Sequence, residues 1–408
     1  MSETTIVKCA RIIDGTGTVI PGANVVVIRD GAIVAVGDEI SAGCPDHALD
    51  ATVVDLASYT LMPGLINCHD HLATRRSRAP AAAIFARSQA YRALLAARNC
   101  LLSLASGVLV LRDMGAPGSL AMELALAVEQ GLVLGPRIVS CINGITRPSG
   151  PGAALSMTVS STDEVRAAVD YLAEAGAHFI KVFAATDGSA PDQPTLTAEE
   201  IRAAVRRAQD HGLRTAAHTI TRESIRVCLQ AGITCIEHAP ELDRDLAREM
   251  ALSDVVFVPT MSGFHMIGTE GWLWGRTREK AQVFASFLQP HMTAVRSALE
   301  EGVKVAAGTD GLGTMAMEVR LLERAGMRRS DALQAATGSG AQLLGLNRCG
   351  KVAPGFDAEL IAVDGDPLSD PACIDHPVTI FHSGKVLDAR ALRELYGTFD
   401  ESPVVCSG

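Results

Sequence analysis

The sequence lacks the features that would direct the protein to a membrane or to nucleic acid. No window reaches the apolar length of a membrane-spanning helix. The first 15 residues lack the basic start, apolar stretch and cleavage site of a signal peptide. Lysine and arginine total 36 against 46 acidic residues, and they form no long basic run that could follow phosphates. We therefore expect a cytoplasmic protein with neither a membrane nor a nucleic-acid partner.

Paired cysteines are also lacking. The ten cysteines are scattered, with no CxxC pair and no short disulfide-like spacing, so we expect reduced and mostly buried thiols. The chain does have 408 residues, of which 48% are hydrophobic. That length and composition favour one large domain with its own core and a smaller unit beside it.

Two kinds of pattern follow each other along the chain. Residues 1–60 and 347–408 contain short strands broken by turns, which is typical of β-rich modules. In residues 61–346, apolar strands alternate with long amphipathic segments, which predicts a parallel sheet with crossover helices. The eight strand candidates span 64–71, 107–113, 136–142, 178–184, 213–218, 233–238, 255–260 and 303–310. These patterns predict an α/β fold, a (β/α)8 TIM barrel, with a small β-sandwich formed by the two ends.

Polar side chains recur at the carboxyl ends of these strands, where such barrels carry their active sites. The first strand ends in His69-Asp70-His71, and alternation along the strand puts both histidines on the axis side. Four further strands supply, in order, Lys181, His218, His238 and Asp310. Imidazoles and a carboxylate suit an ion such as Zn²⁺, and more than four such groups favour two ions. Taken alone, each histidine would also fit a structural role, and Asp310 would also fit a helix cap.

Five motifs, "PGLINCHDHL", "FIKVF", "AAHT", "CIEHA" and "AAGTD", resemble in sequence and order those of the amidohydrolase superfamily. The resemblance is to its branch of imidazolonepropionase-like and prolidase-like metal-dependent hydrolases. The segments "RIIDGTG", "GAIVAVG" and "GKVAPGFDAELIAVDGDPL" resemble the sandwich halves of the same proteins. The resemblance covers nearly the whole chain and implies a hydrolase of carbon–nitrogen bonds.

The resemblance also implies a role for each of these polar residues. His69 and His71 would bind one metal with Asp310, and His218 and His238 would bind the second. Lys181 would be carboxylated by CO₂, and its carbamate would bridge two divalent ions, most simply Zn²⁺. A buried lysine has a depressed pKa, so a neutral amine is available to capture CO₂. The alternatives for Lys181 are an ion pair with Asp113 or Asp310, or a side chain that reaches the rim.

The expected reaction is hydrolysis of an amide or N-acyl bond in a small molecule, with Asp310 as general base. Superfamily deaminases generally use one metal and lack the lysine, so deamination is disfavoured. Peptidase-like relatives carry Gly-Gly-His after strand three and a tyrosine after the strand-five histidine, where this chain has "NGITRPSGPGAA" and Ile220. A urea or carbamate hydrolase acting on a xenobiotic and a dipeptidase are the alternative enzymes. An alternative of another class is a non-catalytic scaffold, against which the six ligand positions argue.

The rim supplies candidate substrate contacts. Arg147 and Arg222 are candidates to hold a substrate carboxylate, because guanidinium groups bind carboxylates in bidentate fashion. His265 and His291 are candidates to contact the substrate, and Trp272, next to Trp274, is a candidate aromatic lid in a loop after strand seven. The alternatives are solvated loop residues or a contact between subunits. The expected partners are a small-molecule substrate and further copies of the chain in a homo-oligomer.

Overall fold

The computed structural model describes residues 3–38, 51–74, 79–186, 188, 190, 192–193 and 195–397. The predicted domain ranges 1–60 and 347–408 therefore lie partly outside the described residues, and the domain boundaries stay predictions. The strands are β1 (Thr4–Ile12), β2 (Val25–Arg29), β3 (Ala32–Gly37), β4 (Ala51–Pro63), β5 (Leu65–Asp70), β6 (Val108–Asp113), β7 (Arg137–Ser140), β8 (Gly144–Thr146), β9 (Ser156–Thr158), β10 (Phe179–Phe183), β11 (Arg214–Thr219), β12 (Cys235–His238), β13 (Val256–Val258), β14 (Leu360–Val363), β15 (Thr379–His382) and β16 (Lys385–Asp388).

The helices follow the strands on the outside of the parallel sheets. They are α1 (Ala81–Phe85), α2 (Gln89–Ala105), α3 (Leu120–Glu129), α4 (Thr162–Glu174), α5 (Ala198–Asp210), α6 (Arg222–Ala231), α7 (Arg244–Leu252), α8 (Met261–Glu270), α9 (Arg278–Glu300), α10 (Met315–Arg324), α11 (Arg329–Ala335), α12 (Gly338–Leu344) and α13 (Ala389–Tyr396). The predicted helices at 198–211 and 222–231 are confirmed as α5 and α6. At α5 the side chains of Thr197 and Glu200 form a capping box, which satisfies backbone N–H groups at the start of the helix.

The two ends of the chain share one sheet. Its seven strands run in the order β16-β15-β14-β4-β1-β2-β3, with β4 parallel to β1 and antiparallel to β14. Residues from both ends fill a common apolar cluster that includes Val7 and Leu360, both fully buried. The thirteen-residue β4 leads almost directly into β5, so this sheet anchors the strand that carries His69 and leads into His71.

The middle of the chain forms two parallel sheets. One has the order β13-β12-β11-β10-β8-β9 and the other has the order β5-β6-β7. Seven of the eight predicted strands appear in these sheets, and the short strands β8 and β9 were not predicted. An α/β fold with parallel strands is therefore confirmed.

The eighth strand candidate, 303–310, forms only a single bridge, from Val305 to Phe257. Its backbone nevertheless lies beside β5, because Cys68 N donates to Ala307 O at 2.9 Å. The extended segment ends in a turn, where the N–H groups of Thr309 and Asp310 both donate to the carbonyl of His69. The left-handed φ of 49° at Asp310 belongs to this turn.

The segment after β13 is helical, whereas the sequence predicted a loop there. It forms α8 and then a short 3₁₀ helix, Gly271–Trp274. The glycines that made it look like a loop permit close packing instead. A Cβ at Gly263 would lie 2.7 Å from Thr309 O, and one at Gly268 would lie 2.9 Å from Ala285 N. These two glycines therefore allow α8 to approach the Asp310 segment and α9.

None of the described helices combines the length and hydropathy that crossing a membrane requires. The eight cysteines within the described ranges are free thiols, and seven of them are buried. The prediction of reduced, mostly buried cysteines is confirmed for those residues.

Candidate metal centre

Three side chains from distant parts of the sequence form a tight polar cluster. One ligand atom each from His69, His238 and Asp310 lies within 4.8 Å of the others. His71 and His218 adjoin this cluster: the rings of His69 and His71 are 5.6 Å apart, and those of His218 and His238 are 4.6 Å apart. The four histidines lie at or just beyond the carboxyl ends of parallel strands, and Asp310 lies in the turn at 309–310. The structure thus brings these five predicted residues together.

Asp310 lies at the centre of the cluster. Its Oδ1 is 3.4 Å from Nε2 of His69 and 3.6 Å from Nε2 of His71. Burial would raise the pKa of this carboxyl, but the neighbouring imidazoles His69, His71 and His218 outweigh burial and lower it. The group is therefore a carboxylate at neutral pH.

Three of the histidines have their Nδ1 atoms engaged by neighbours. Nδ1 of His69 lies 2.7 Å from Oε2 of Glu237, and that of His71 lies 3.2 Å from the carbonyl of Gly115. Nδ1 of His238 lies 2.7 Å from the Thr260 hydroxyl. Such contacts fix the ring orientation and leave Nε2 as the nitrogen that an ion would use, as is usual at metal sites.

Burial favours the neutral form of two of the imidazoles, His71 and His238. It lowers the pKa of His71 to about 4, and it lowers the pKa of His238 well below its usual value, with help from neighbouring His218. Neutral imidazole is the form that binds a metal ion.

Lys181 lies on β10 beside this cluster and is 1% exposed. Its Nζ lies 5.4 Å from the centre of the Phe183 ring, and burial lowers the pKa of its amine. Among the residues that the structure describes, no carboxylate lies within ion-pair distance of this amine. Asp113, one predicted alternative partner, instead accepts hydrogen bonds from the N–H groups of Leu72 and Gly115.

Two further charged residues lie next to the cluster and were not identified from the sequence. Oε1 of Glu237 accepts a hydrogen bond of 2.7 Å from Arg112, while its Oε2 faces His69. Both residues are buried. The sequence signal that could have identified Arg112 and Glu237 is the same as for Lys181, because each is a charged residue within an apolar strand.

The two predicted carboxylate-binding arginines are engaged elsewhere. Arg147 pairs with the buried Glu200 at 2.8 Å and donates to the carbonyl of Ser160. The half-exposed Arg222 forms an ion pair with Asp243 at the start of α7. Their role in substrate binding stays a prediction. To bind a substrate carboxylate, each arginine would have to break its present ion pair.

The remaining predicted contacts lie on or near α8 and α9. His291 is buried, its ring lies 4.9 Å from that of Phe264, and burial lowers its pKa to about 4. His265 is only half-buried, and burial lowers its pKa, as does the positive charge of nearby Arg324. Trp272 is 54% exposed, whereas Trp274 is buried in an apolar cluster with Phe264.

The donor set fits divalent metal ions. Imidazoles with their Nδ1 atoms already engaged, a carboxylate of low pKa and a buried amine that pairs with no carboxylate of the described residues converge in one place. Nε2 of His69 and Nε2 of His71 both face Oδ1 of Asp310, at 3.4 and 3.6 Å, and a metal ion held among these three groups would account for that arrangement.

Comparison with known proteins identifies the family of the chain. The profile of the amidohydrolase family matches residues 60–388. Ochratoxinase from Aspergillus niger is 26% identical over 423 aligned residues, covering 94% of this chain and 86% of that protein. A Xaa-Pro dipeptidase crystallised with methionine in its active site superposes with a TM-score of 0.85 at 25% identity, covering 95% of this chain and all of that one.

A prolidase crystallised with N-methylphosphonate-L-proline gives the same TM-score and identity, and covers 94% of this chain and 99% of that chain. Because the family profile spans most of the chain, family membership does not depend on a single motif. The protein is therefore a member of the amidohydrolase family and a hydrolase that acts on carbon–nitrogen bonds.

Proposed function

We propose that this protein is a binuclear-metal amidohydrolase that cleaves an amide or N-acyl bond in a small molecule with an apolar or aromatic part. The observation that carries the proposal is the convergence of His69, His238 and Asp310 within 4.8 Å, next to the buried Lys181. His69, His71 and Asp310 would hold one ion, and His218 and His238 would hold the other. Nitrogen and carboxylate donors favour Zn²⁺.

Lys181 is the proposed bridge in its carboxylated form. A cationic amine at this position would face imidazoles with no carboxylate within ion-pair distance in the described part of the chain, at a high cost in desolvation. Burial lowers the pKa of the amine and so favours the neutral form. The neutral nitrogen attacks the carbon of CO₂ and loses a proton, which converts Lys181 into an anionic carbamate with two oxygen ligands.

Asp310 is the proposed general base. Divalent ions held by these residues would supply an activated water molecule and polarise the scissile carbonyl. Asp310 would accept a proton from that water, and the low pKa of its carboxyl keeps it unprotonated beforehand. It then delivers the proton to the leaving nitrogen. The turn at 309–310 places this carboxylate beside His69 on β5 and His71 just beyond it.

The apolar part of the substrate is inferred from the surroundings of the site. The ring of Phe264 lies 5.4 Å from that of His238 and 4.6 Å from that of Phe284. This aromatic cluster gives the site an apolar wall. The names of the relatives also support amide-type substrates, because one is an ochratoxinase and two are peptidases that act at proline. Xaa-Pro dipeptides are therefore the second candidate substrates.

We also propose that the two parallel sheets are parts of one closed (β/α)8 barrel and that the terminal sheet folds as a β-sandwich. The 303–310 segment supports closure, since it bonds to Phe257 on one side and Cys68 on the other. On the opposite side of the fold, His178 N donates to Ser140 O at 2.9 Å and joins the regions of β10 and β7. An antiparallel bridge from Ala32 to Asp357 supports the sandwich.

A substrate panel tests the proposal. The zinc-loaded protein would be assayed against N-acyl amino acids, Xaa-Pro dipeptides, and aryl ureas and carbamates, with Asp310→Asn as the control for contaminating activity. We expect the N-acyl compounds with an aromatic part to be hydrolysed with the highest kcat/KM. Hydrolysis of ureas or carbamates alone would overturn the substrate class. A zinc-loaded protein inactive on every compound would support the non-catalytic alternative.

A further inference from the structure

A closed set of hydrogen bonds surrounds the side chain of His69. Its Nδ1 lies 2.7 Å from Oε2 of Glu237, and Oε1 of Glu237 lies 2.7 Å from Nη2 of Arg112. Nε of Arg112 donates to the carbonyl of Cys68 at 2.5 Å. Because Cys68 and His69 are consecutive, the chain of contacts returns to the strand from which it starts.

An irregularity in β5 makes this arrangement possible. The register between β5 and β6 shifts between Asn67 and Asp70, which is where Cys68 and His69 lie. A shift of this kind interrupts the regular ladder and leaves backbone groups in need of other partners. The side chain of Arg112, on β6, supplies the partner for the Cys68 carbonyl.

Arg112 also reaches the strands that carry the other predicted ligands. Its guanidinium lies 5.2 Å from the centre of the Phe179 ring on β10, two residues before Lys181. Through Glu237 it contacts β12, one residue before His238. The planar guanidinium of Arg112 thus contacts β5, β10 and β12 at the same time. The single ammonium group of a lysine would be a poor substitute for it.

Neither charge is accessible to a substrate. The side chain of Arg112 is 3% exposed and that of Glu237 is fully buried. Burying an ion pair is costly, and such a pair is weak evidence for stability on its own. Because Glu237 contacts Nδ1 of His69, however, the pair can orient that histidine.

We propose that Glu237 and Arg112 are positioning residues of the metal centre. Glu237 accepts the Nδ1 proton of His69 and so fixes the tautomer that presents Nε2 to the ion, and Arg112 holds Glu237 in place. Neither group takes part in the bond-breaking step. This inference rests on the proposed function, because it assumes that His69 coordinates a metal.

Removing one charge would leave the other buried and unpaired, which is strongly destabilising on its own, so loss of zinc binding in a single variant would not be specific. The main test therefore uses the double variant Arg112→Met/Glu237→Gln, which removes both charges and keeps similar volumes. The matched control is Glu359→Gln, because Glu359 makes the same carboxylate–Nδ1 contact to His382 in the terminal sheet. Zinc affinity is measured by competition with a chromophoric chelator, and the thermal midpoint is measured in parallel.

Loss of an outer contact to a ligating histidine typically lowers metal affinity about 10–100-fold. We expect that loss in the double variant while it retains a cooperative unfolding transition, and parental affinity in Glu359→Gln. If the parent binds zinc and the folded double variant binds it equally well, the positioning role is wrong. If the double variant does not fold, Arg112→Lys decides: parental zinc affinity in that variant contradicts the role of the guanidinium fork. A parent that binds no zinc contradicts the proposed function itself.

Discussion

Nε2 of His69 lies 3.4 Å from Oδ1 of Asp310, although the two residues are at opposite ends of the α/β region. The contact depends on close backbone packing, because a Cβ at Gly308 would lie 2.7 Å from the Cβ of His69. The first and last strand segments are thus held together at the cluster itself. Several outcomes can be expected from this arrangement.

Asp310→Asn should abolish most turnover. The amide cannot accept a proton, and general-base catalysis typically contributes about 10²–10⁴-fold to rate. We expect kcat to fall by about that factor in steady-state assays, with bound zinc partly retained by the histidines. Asp163→Asn changes an exposed carboxylate of α4 and should leave kcat unchanged. A kcat within tenfold of the parental value would exclude Asp310 as the base.

Lys181→Ala should also be nearly inactive. The alanine removes the carbamate nitrogen and with it the proposed bridge, so kcat/KM should fall by at least ~100-fold. Bicarbonate together with short carboxylic acids should restore part of the activity, since an added carboxylate can occupy the bridging position. The control is Lys304→Ala, at an exposed lysine paired with Asp254. Full activity of Lys181→Ala would contradict the bridging role.

The hydroxyl of Thr260 should contribute to metal binding through His238. Thr260 is fully buried, and its Oγ1 lies 2.7 Å from Nδ1 of that histidine. We expect Thr260→Ala to lower zinc affinity by about 10–100-fold in chelator competition, while Thr260→Ser retains it. Equal affinities of the two variants would show that the hydroxyl does not orient His238.

Glu318 should make stability depend on pH. This buried carboxyl accepts hydrogen bonds from the N–H groups of Met261 and Ser262, and burial raises its pKa from 4.5 to about 7. The folded state then binds the proton more tightly than the unfolded state. The free energy of unfolding therefore falls as pH rises from about 4.5 to about 7, by up to about 3 kcal/mol.

Glu318→Gln keeps the site neutral at every pH and should remove this dependence. Denaturant unfolding at pH 5 and pH 8 should show that the variant gains stability relative to the parent at the higher pH. Glu323→Gln, on the same helix but partly exposed, is the control and should show no such gain. A constant difference between variant and parent across this range would mean that Glu318 is already ionised at pH 5.

The sequence predicted the parts of the site that follow from strand alternation and strand order. His69 and His71 lie two residues apart, and Lys181, His218 and His238 each lie on or at the end of a strand, so their convergence follows from parallel strands. Glu237 and Arg112 were missed because their partnership depends on which strands face each other and in what register. A single sequence does not contain that information directly.

Long-range pairing also explains the other differences. Arg147 looked available for a substrate, but its partner Glu200 lies at the start of a helix more than fifty residues later. The segment with Trp272 and Trp274 was expected to be a loop, but its first residues belong to α8, whose Gly263 and Gly268 pack closely against the Asp310 turn and α9 despite the poor helix propensity of glycine. The predicted strand at 303–310 is not a regular strand, and it forms only one bridge, to Phe257, before the turn that carries Asp310.

The number of metal ions bound per chain tests the central claim most directly. The protein would be purified with zinc and bicarbonate, freed of loosely bound metal by gel filtration, and analysed by inductively coupled plasma mass spectrometry beside Lys181→Ala. The account predicts two zinc ions per parental chain and no more than one in the variant. One ion or none in the parent, or two in both proteins, would contradict a centre bridged by Lys181.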